Sequence, residues 1–500
     1  MKKEFERTEP EKVGVPSGAL LRFLEKTETL PTEMHGFMLM RHGKVCAEGW
    51  WAPYGSETLH GSNSFGKTYT GTAVGVAYTE GLLGLDERLT DIFPEYAHLI
   101  RDERMKRVRV RDMLSMSAGI TDEVFGATDS VEQYMTRVPT HEPGTFFCYN
   151  NSTASVLGAA VQKRTGRSLM DYLDEKVFSK IGIESRNFCW VEESGTELNA
   201  AAGGILSTTE QNLRLMKLYA DGGLCGGERL LAEDFVKEAI SPHHIADMDD
   251  GTDYRADDIR YGWMMWRAEK HGAYFGWGAL GQIVMVMPEK DLILSLHQRS
   301  AREADIEALR AFWELVVPEL DTCAPDDGAD FRRLRDKLAS LTLPEMTGPA
   351  LPLSGADADG KDFLPDAGLR FENETFAMMT KAPHEPDLEG FRFVFREAET
   401  VLLYAAGGRE RRLIAGMDGR GRFNTLPTLD GYAQTVYASG AWKEEGVFDL
   451  CLRFMGFSNK KTYRFDFRPG RACVDMFRYN GNTMDAQSAL RIPFRRTGKE

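Results

Sequence analysis

The segment GSNSFGKTYTG, Gly61 to Gly71, offers two chemistries on one lysine. Counted from Ser64 it is S-x-x-K, a hydroxyl nucleophile with an amine one helical turn later. Counted from Gly61 it is G-x-x-x-x-G-K-[ST], the pattern of a loop that cradles phosphates, with Lys67 and Thr68 as its last two positions. One reading makes a covalent acyl intermediate on a serine. The other binds a nucleotide.

The flanks separate the two. A phosphate loop joins a buried apolar strand to a helix. The residues before Gly61 are APYGSETLH, which contain no apolar run. Such a loop also needs an acidic residue at the end of a second apolar strand to manage magnesium. The best apolar strands here end at Met287-Pro288 and at His297-Gln298. The serine reading fits better. KTYTGTAVGVAYTEGLL, from Lys67 to Leu83, reads as a helix apolar on most faces, hence buried. A serine at its start shares a face with Lys67 one turn on, and a helix N-terminus favours developing negative charge. Lysine acts as a base only where burial or a neighbouring cation lowers its pKa, and this helix supplies burial.

S-x-x-K alone is a weak signal and needs partners. PGTFFCYNNS supplies Tyr149 and Asn151 in a Y-x-N pattern before a helix. A tyrosine beside a lysine cation can ionise near neutrality and take a proton from serine. Asn151 can donate to a substrate carbonyl or hold Lys67. In isolation the pair would be a turn asparagine and a core tyrosine. YFGWGALGQ then crowds Gly276, Trp277, Gly278 and Gly281 at the start of an apolar strand. Glycine weakens a strand, so the cluster is either a structural bulge or a place where another group approaches closely. An edge strand there could supply one oxyanion-hole amide, with the Ser64 amide as the other.

These residues must be carried by surrounding elements. PSGALLRFLEKT (16–27) has helical periodicity, and HGFMLMRHGKVCAEGWW reads as a hairpin turning at His42-Gly43. Gly71 and Gly75 in the central helix would let other backbones approach. Further helices are expected at 152–166 and at 207–223, the latter with Ser207 as N-cap and Gly222 as its end. GQIVMVMPEKDLILSLHQ (281–298) is a second hairpin, and a helix follows at 303–317. Strands at both ends with helices between predict an α+β fold, one antiparallel sheet built from both ends with a helical layer inserted. FRRLRDKLASL is a short helix before LPEMTGPALPLSGADADGKDFLP, which reads as a linker. Beyond Leu369 come short strand-like runs with no helical run among them, a β-sandwich or small barrel. The expected division is a first domain over 1–325, a linker over 326–365 and an all-β domain over 366–500.

Bulk properties narrow the partners. The 500 residues suit two or three domains. A formal charge of −15 argues against a general nucleic-acid or anionic-membrane binder. The N-terminal MKKEFERTEPEKVGV has no apolar run behind its lysines and does not read as a secretory signal. No stretch approaches the roughly 18 apolar residues of a membrane span. A cytoplasmic compartment is therefore expected. Cys46, Cys148, Cys189, Cys225, Cys323, Cys451 and Cys473 are odd in number and lack any C-x-x-C pair, as for reduced thiols.

The whole pattern resembles the serine β-lactamase and penicillin-binding-protein superfamily, most closely the branch holding class C β-lactamases, esterases and DD-peptidases. The likeness rests on SNSFGK, LLGLDERLTDIFPEY, VRDMLSMSAGI, PGTFFCYNN, AAGGILSTTEQNLRLMKLYADGG and GALGQIVMVMPEKDLIL, in that order, over roughly residues 8–320. It implies an antiparallel sheet flanked by helices, a helical subdomain beside it and a site between them. It implies Ser64 as the acylated nucleophile, Lys67 as its partner, Tyr149 as general base and acid, and Asn151 as the end of the second motif. The third motif of such proteins is usually Lys-Thr-Gly or His-x-Gly. Counting back from Gly281 and Pro288 sets Gly276-Trp277-Gly278 there, or a register one residue on from Trp277, with the Ala279 amide in the oxyanion hole. The chain departs from the pattern, since glycine replaces the basic first residue. The lost cation would help hold a substrate carboxylate, and Trp277 offers an apolar wall instead.

The expected activity is therefore serine hydrolysis of a small ester or amide through an acyl-enzyme on Ser64, rather than antibiotic hydrolysis. The alternative is a binding or regulatory protein on the same scaffold. No metal or cofactor is expected. The partner is a small-molecule substrate, with no nucleic acid and no membrane, and a homo-oligomer is compatible with these features.

Overall fold

The computed structural model describes residues 4–497 apart from 122–128, 194–195, 197, 247, 249–251, 323–327, 349–357, 382, 429–431 and 457. Cys323 and parts of the expected linker lie outside the described residues. The six other cysteines form no disulfide among the described residues. Two compact units emerge: Met1–Leu341 with Met378–Thr380, and Thr342–Ala377 with Lys381–Glu500.

The first unit is built on one antiparallel sheet. Its strands are β1 (Thr32–Arg41), β2 (Lys44–Trp50), β3 (His244–Ile245), β4 (Ile259–Tyr261), β5 (Trp266–Ala268), β6 (Ala273–Gly278), β7 (Gln282–Met287) and β8 (Leu292–Ser300). Their order across the sheet is β2-β1-β8-β7-β6-β5-β4-β3. The β1–β2 turn is the expected one. His42 and Gly43 have φ of 51° and 73°, the left-handed pair that matches the twist of a tight hairpin. The two chain ends meet where β1 pairs with β8, from Thr32↔Ser300 to Arg41↔Leu292.

Every residue of β1 is buried because both faces of the sheet are covered. On one face, helices α1 (Ser17–Thr27) and α5 (Glu307–Leu315) bring Phe23 and Phe312 together, with Phe23 edge-on to Phe37. On the other lies α4 (Thr209–Ala220), whose Thr209 carbonyl accepts from the Ser295 hydroxyl. The helical layer beside it contains α2 (Gly66–Thr79) and α3 (Asn151–Thr165). Residues 66–77 of α2 are all buried, as its apolar composition requires.

Three expectations change in detail. The N-cap of α4 is Thr208, whose hydroxyl accepts from the Gln211 amide. Ser207 cannot cap because its hydroxyl is turned to Asn212 and Ser62. Gly71 and Gly75 meet the side chains of Met264 and Phe235 rather than backbone, while Gly66 is the residue set against a backbone, that of Gly203. Helix α6 (Ala329–Ala339) lies within the stretch assigned to a linker, yet it packs in the first unit, where Leu338 and Leu341 close over Gly49.

The second unit is a ten-stranded antiparallel sheet: β9 (Asp362–Pro365), β10 (Leu388–Phe395), β11 (Glu399–Ala406), β12 (Arg409–Gly416), β13 (Arg422–Pro427), β14 (Ala433–Glu444), β15 (Val447–Phe454), β16 (Asn459–Asp466), β17 (Cys473–Asn480) and β18 (Thr483–Arg496). Its order is β12-β11-β10-β9-β18-β17-β16-β15-β14-β13, and a bridge from Gly416 to Ser439 joins β12 to β14, closing a barrel. Closure removes most of the free edges. Aromatic rings fill the interior, among them Phe363, Phe391, Phe393, Phe448, Phe465 and Phe494. A short helix spans Glu374–Thr380, in the stretch of the sequence where only strands were expected. Asn373 starts it by accepting from the Phe376 amide. Among the described residues no helix is long and apolar enough to cross a membrane.

Candidate active site

Ser64 lies in a short 3-10 turn, Asn63–Phe65, that runs straight into α2. Lys67, on the first turn of α2, is 1% exposed. A buried ammonium must be hydrogen-bonded, and Lys67 donates to three acceptors: Ser64 Oγ at 3.1 Å, Asn151 Oδ1 at 2.7 Å and the Ala202 carbonyl at 2.8 Å. Its Nζ also stands 4.7 Å from the centroid of the Tyr149 ring. Ser64, Tyr149 and Asn151 are only half-buried, so the cluster opens towards solvent on their side.

Local structure explains how YNN presents two of these groups. Asn150 is the N-cap of α3, its Oδ1 accepting from the Thr153 amide at 2.9 Å. The cap residue itself is extended, so the helix begins at Asn151, whose side chain reaches Lys67, and Tyr149 lies just before the cap. Trp266 of β5 stacks on the Tyr149 ring at 5.6 Å, and Tyr261 of β4 meets it edge-on at 6.1 Å. Burial, and then Tyr149 beside it, hold the Tyr261 hydroxyl well above its ordinary 10. Tyr261 is therefore a neutral neighbour.

The glycine-rich strand runs against the Ser64 turn. A Cβ on Gly278 would fall 2.1 Å from the Ser62 carbonyl oxygen, and one on Gly276 would fall 2.1 Å from Phe65 Cδ2. The glycines are therefore there to admit close approach, not to bulge. Phe65 fills the space that any side chain at position 276 would enter. Trp277 points to the opposite face of β6, as strand alternation requires. It is 7% exposed and packs on Tyr254 and on Trp266, which in turn stacks on the Tyr149 ring. Exposed Ala279 follows in the turn after β6, and its carbonyl accepts from Asn63 Nδ2 at 2.7 Å.

With this geometry in view, comparison with known proteins is informative. Residues 34–315 match the family model described as Beta-lactamase. The chain belongs to the beta-lactamase family. Relatives within it include a beta-lactamase of Yersinia enterocolitica, 23% identical over 284 residues, which span 52% of this chain and 68% of that protein. A 6-aminohexanoate-dimer hydrolase of Paenarthrobacter ureafaciens is 22% identical over 281 residues, 52% of this chain and 70% of that one. Among solved structures, the octameric penicillin-binding protein homologue from Pyrococcus abyssi covers 97% of this chain and 100% of its own at 14% identity, with a TM-score of 0.46. The family and its hydrolase relatives make this beta-lactamase-family protein a hydrolase.

Behind the Ser64 turn lies a buried polar network that the sequence did not disclose. Asn212 of α4 donates to Ser62 Oγ and His297 Nε2, and its Oδ1 accepts from Tyr69 and Ser207. His60 stacks on His297 at 4.4 Å and shares a hydrogen bond with His35, which in turn meets Glu33. Burial, then His35 beside it, lowers His297 to about 3. Burial, then His297 and His35, holds His60 well below 6.5. His60 and His297 are therefore neutral, and their stacking fixes the strand His60–Gly61 that leads to Ser64. Among the described residues no cluster of His, Cys, Asp or Glu could hold a metal ion.

Proposed function

We propose that this beta-lactamase-family hydrolase cleaves a small ester or amide through an acyl-enzyme on Ser64. The observation that carries the reading is the Lys67 ammonium, buried and bonded at once to Ser64 Oγ and Asn151 Oδ1 beneath the Tyr149 ring. Tyr149 acts as the phenolate, which the Lys67 ammonium beside its ring stabilises. Ser64 Oγ attacks the carbonyl carbon as its proton passes to that phenolate, and the negative charge moves to the carbonyl oxygen. The amides of Ser64 and Ala279 receive the oxyanion. Tyr149 then protonates the leaving alcohol or amine, and the same groups activate a water to hydrolyse the ester on Ser64.

One observation favours a substrate without a carboxylate beside the scissile bond: Phe65 blocks the direction from which a basic side chain at position 276 would reach the site. The name of one relative, a 6-aminohexanoate-dimer hydrolase, keeps an amide among the candidate bonds. A fluorophosphonate probe should label Ser64 in the purified protein, and Ser64→Ala should abolish labelling and turnover together. A panel of p-nitrophenyl esters, D-amino-acid amides and nitrocefin names the substrate class. Unchanged ester turnover in Ser64→Ala would refute the reading.

A further inference from the structure

Asn63 has no role in the reaction just described, yet it connects the two sides of the proposed oxyanion hole. It immediately precedes Ser64 and has φ 47°, in the left-handed region open mainly to glycine, asparagine and aspartate. Its side chain crosses to the end of β6, where Nδ2 donates to the Ala279 carbonyl at 2.7 Å. That contact also fixes the orientation of the amide, because only the nitrogen can donate to a carbonyl. The residue is 5% exposed, and its Oδ1 is buried without a partner among the described residues.

The far side of the same turn is anchored separately. The Leu280 amide donates to Asp305 Oδ2 at 3.1 Å, and the Leu280 carbonyl accepts from Gln282 Nε2 at 3.0 Å and from the Ser300 amide at 3.1 Å. Asn63 therefore supplies the near-side tie, and it ties Ala279 to the residue next to Ser64. A role in folding alone accounts poorly for it. Glycine would accept φ 47° without strain and would bury no unsatisfied acceptor.

We propose that Asn63 is a positioning residue, a strut that sets the gap between the Ser64 and Ala279 amides. The proposal rests on the acyl-enzyme reading above. Oxyanion donors act only when they sit at hydrogen-bond distance from the position the oxyanion will occupy, so a small widening of the gap weakens the transition state and spares the ground state.

The test uses the full-length chain and two variants. Asn63→Gly keeps the backbone conformation and removes the strut. Asn63→Asp keeps the shape and the conformational preference and removes the donor. With p-nitrophenyl acetate, kcat should fall by about ten- to a hundredfold in both while KM stays within about threefold. Affinity for phenylboronic acid, which forms a tetrahedral adduct on serine, should fall by the same factor as kcat/KM. The thermal midpoint of Asn63→Gly should stay close to the parent, while that of Asn63→Asp should fall because it buries an acidic group against the Ala279 carbonyl. Wild-type kcat in either folded variant, or boronate affinity unmoved while kcat falls, overturns the proposal. So does failure of both variants to fold, which would make the bond a requirement of the fold. The parent reading fails separately: it falls if Ser64→Ala retains turnover, whereas intact Ser64 labelling with indifferent Asn63 variants removes the strut alone.

Discussion

Gly276→Ala adds one methyl group where β6 meets the Ser64 turn. The new carbon would lie 2.1 and 2.2 Å from Cδ2 and Cε2 of Phe65 and 3.0 Å from Thr68 Oγ1. Non-bonded carbons prefer about 3.5–4.0 Å, so the overlap with the ring is roughly 1.5 Å. The ring has little room to yield. Phe65 is 1% exposed and packs edge-on against Tyr69, which is itself anchored by its hydrogen bond to Asn212. Overpacking of this kind costs about 1–3 kcal/mol. Phe65→Ala alone should cost about 3–5 kcal/mol, because it empties a buried aromatic site. In the double variant the added methyl enters the space the ring vacated. The Gly276→Ala penalty should then disappear, leaving a favourable coupling of about 1–3 kcal/mol. The assay is the midpoint for thermal loss of ester turnover in all four proteins, which reports on the unit bearing Ser64 and avoids a two-state treatment of a two-unit chain. Additivity within about 0.5 kcal/mol would show that the ring does not exclude side chains at position 276.

Tyr149→Phe should lower kcat/KM by about 10²–10⁴-fold, the range of a lost general acid–base, whereas Tyr261→Phe should stay within a few-fold because that hydroxyl is neutral. Stopped-assay kinetics on one p-nitrophenyl ester decides it, and equal losses in both would be the wrong result. His297, lowered to about 3 from 6.5 chiefly by burial, is neutral in the fold and protonates more readily once unfolded. Its contribution is therefore complete above about pH 6.5 and is lost as pH falls towards 3, with about 2 kcal/mol gone by pH 5. Denaturant titrations at pH 7.5 and 5 should show the drop, His297→Gln should reduce it while His60 still titrates, and a pH-independent parent would contradict the neutral pair. Asn150→Ala removes the α3 cap and should cost about 0.5–2 kcal/mol, seen as a lower thermal midpoint. An unchanged midpoint would mean the cap does not hold that turn. Wild type should favour p-nitrophenyl acetate over anionic nitrocefin in kcat/KM, and Gly276→Lys in the Phe65→Ala background should narrow that gap. A wild type that prefers nitrocefin would reverse the substrate reading.

The groups legible in the sequence are those set close together in the chain or on one element. Ser64 and Lys67 are one turn apart, Tyr149 and Asn151 flank a helix cap, and Gly276 and Gly278 share one strand face. The hairpins β1–β2 and β7–β8 were legible for a similar reason, since each declares itself by its own turn, whereas the short strands β3, β4 and β5 were not. The His60 network was not. Glu33, His35, His60, Asn212 and His297 are scattered through the chain and meet only because β1 pairs with β8 and α4 packs across them. No local period marks such a set. The choice of Thr208 over Ser207 as cap was hidden likewise, because the hydroxyl of Ser207 is claimed by a residue five positions on and by Ser62 from another segment. Asn63 was in plain view but silent, since only the end of β6 gives its amide something to hold.

The placement of charge and apolar bulk around Ser64 follows one logic. The three acceptors named for Lys67 are a hydroxyl, an amide oxygen and a backbone carbonyl, all neutral. Dipolar acceptors such as these fix its position, and in the proposed reaction the field of the ammonium acts at Ser64 Oγ and the Tyr149 ring, where negative charge develops. On the adjacent strand the space for a second cation is taken by Phe65, and the glycine it faces could not hold a side chain without moving that ring. In the proposed reaction Lys67 serves rate and the Phe65–Gly276 pair serves selectivity, so substitutions at the pair should change which carbonyl is cleaved before they change how it is cleaved.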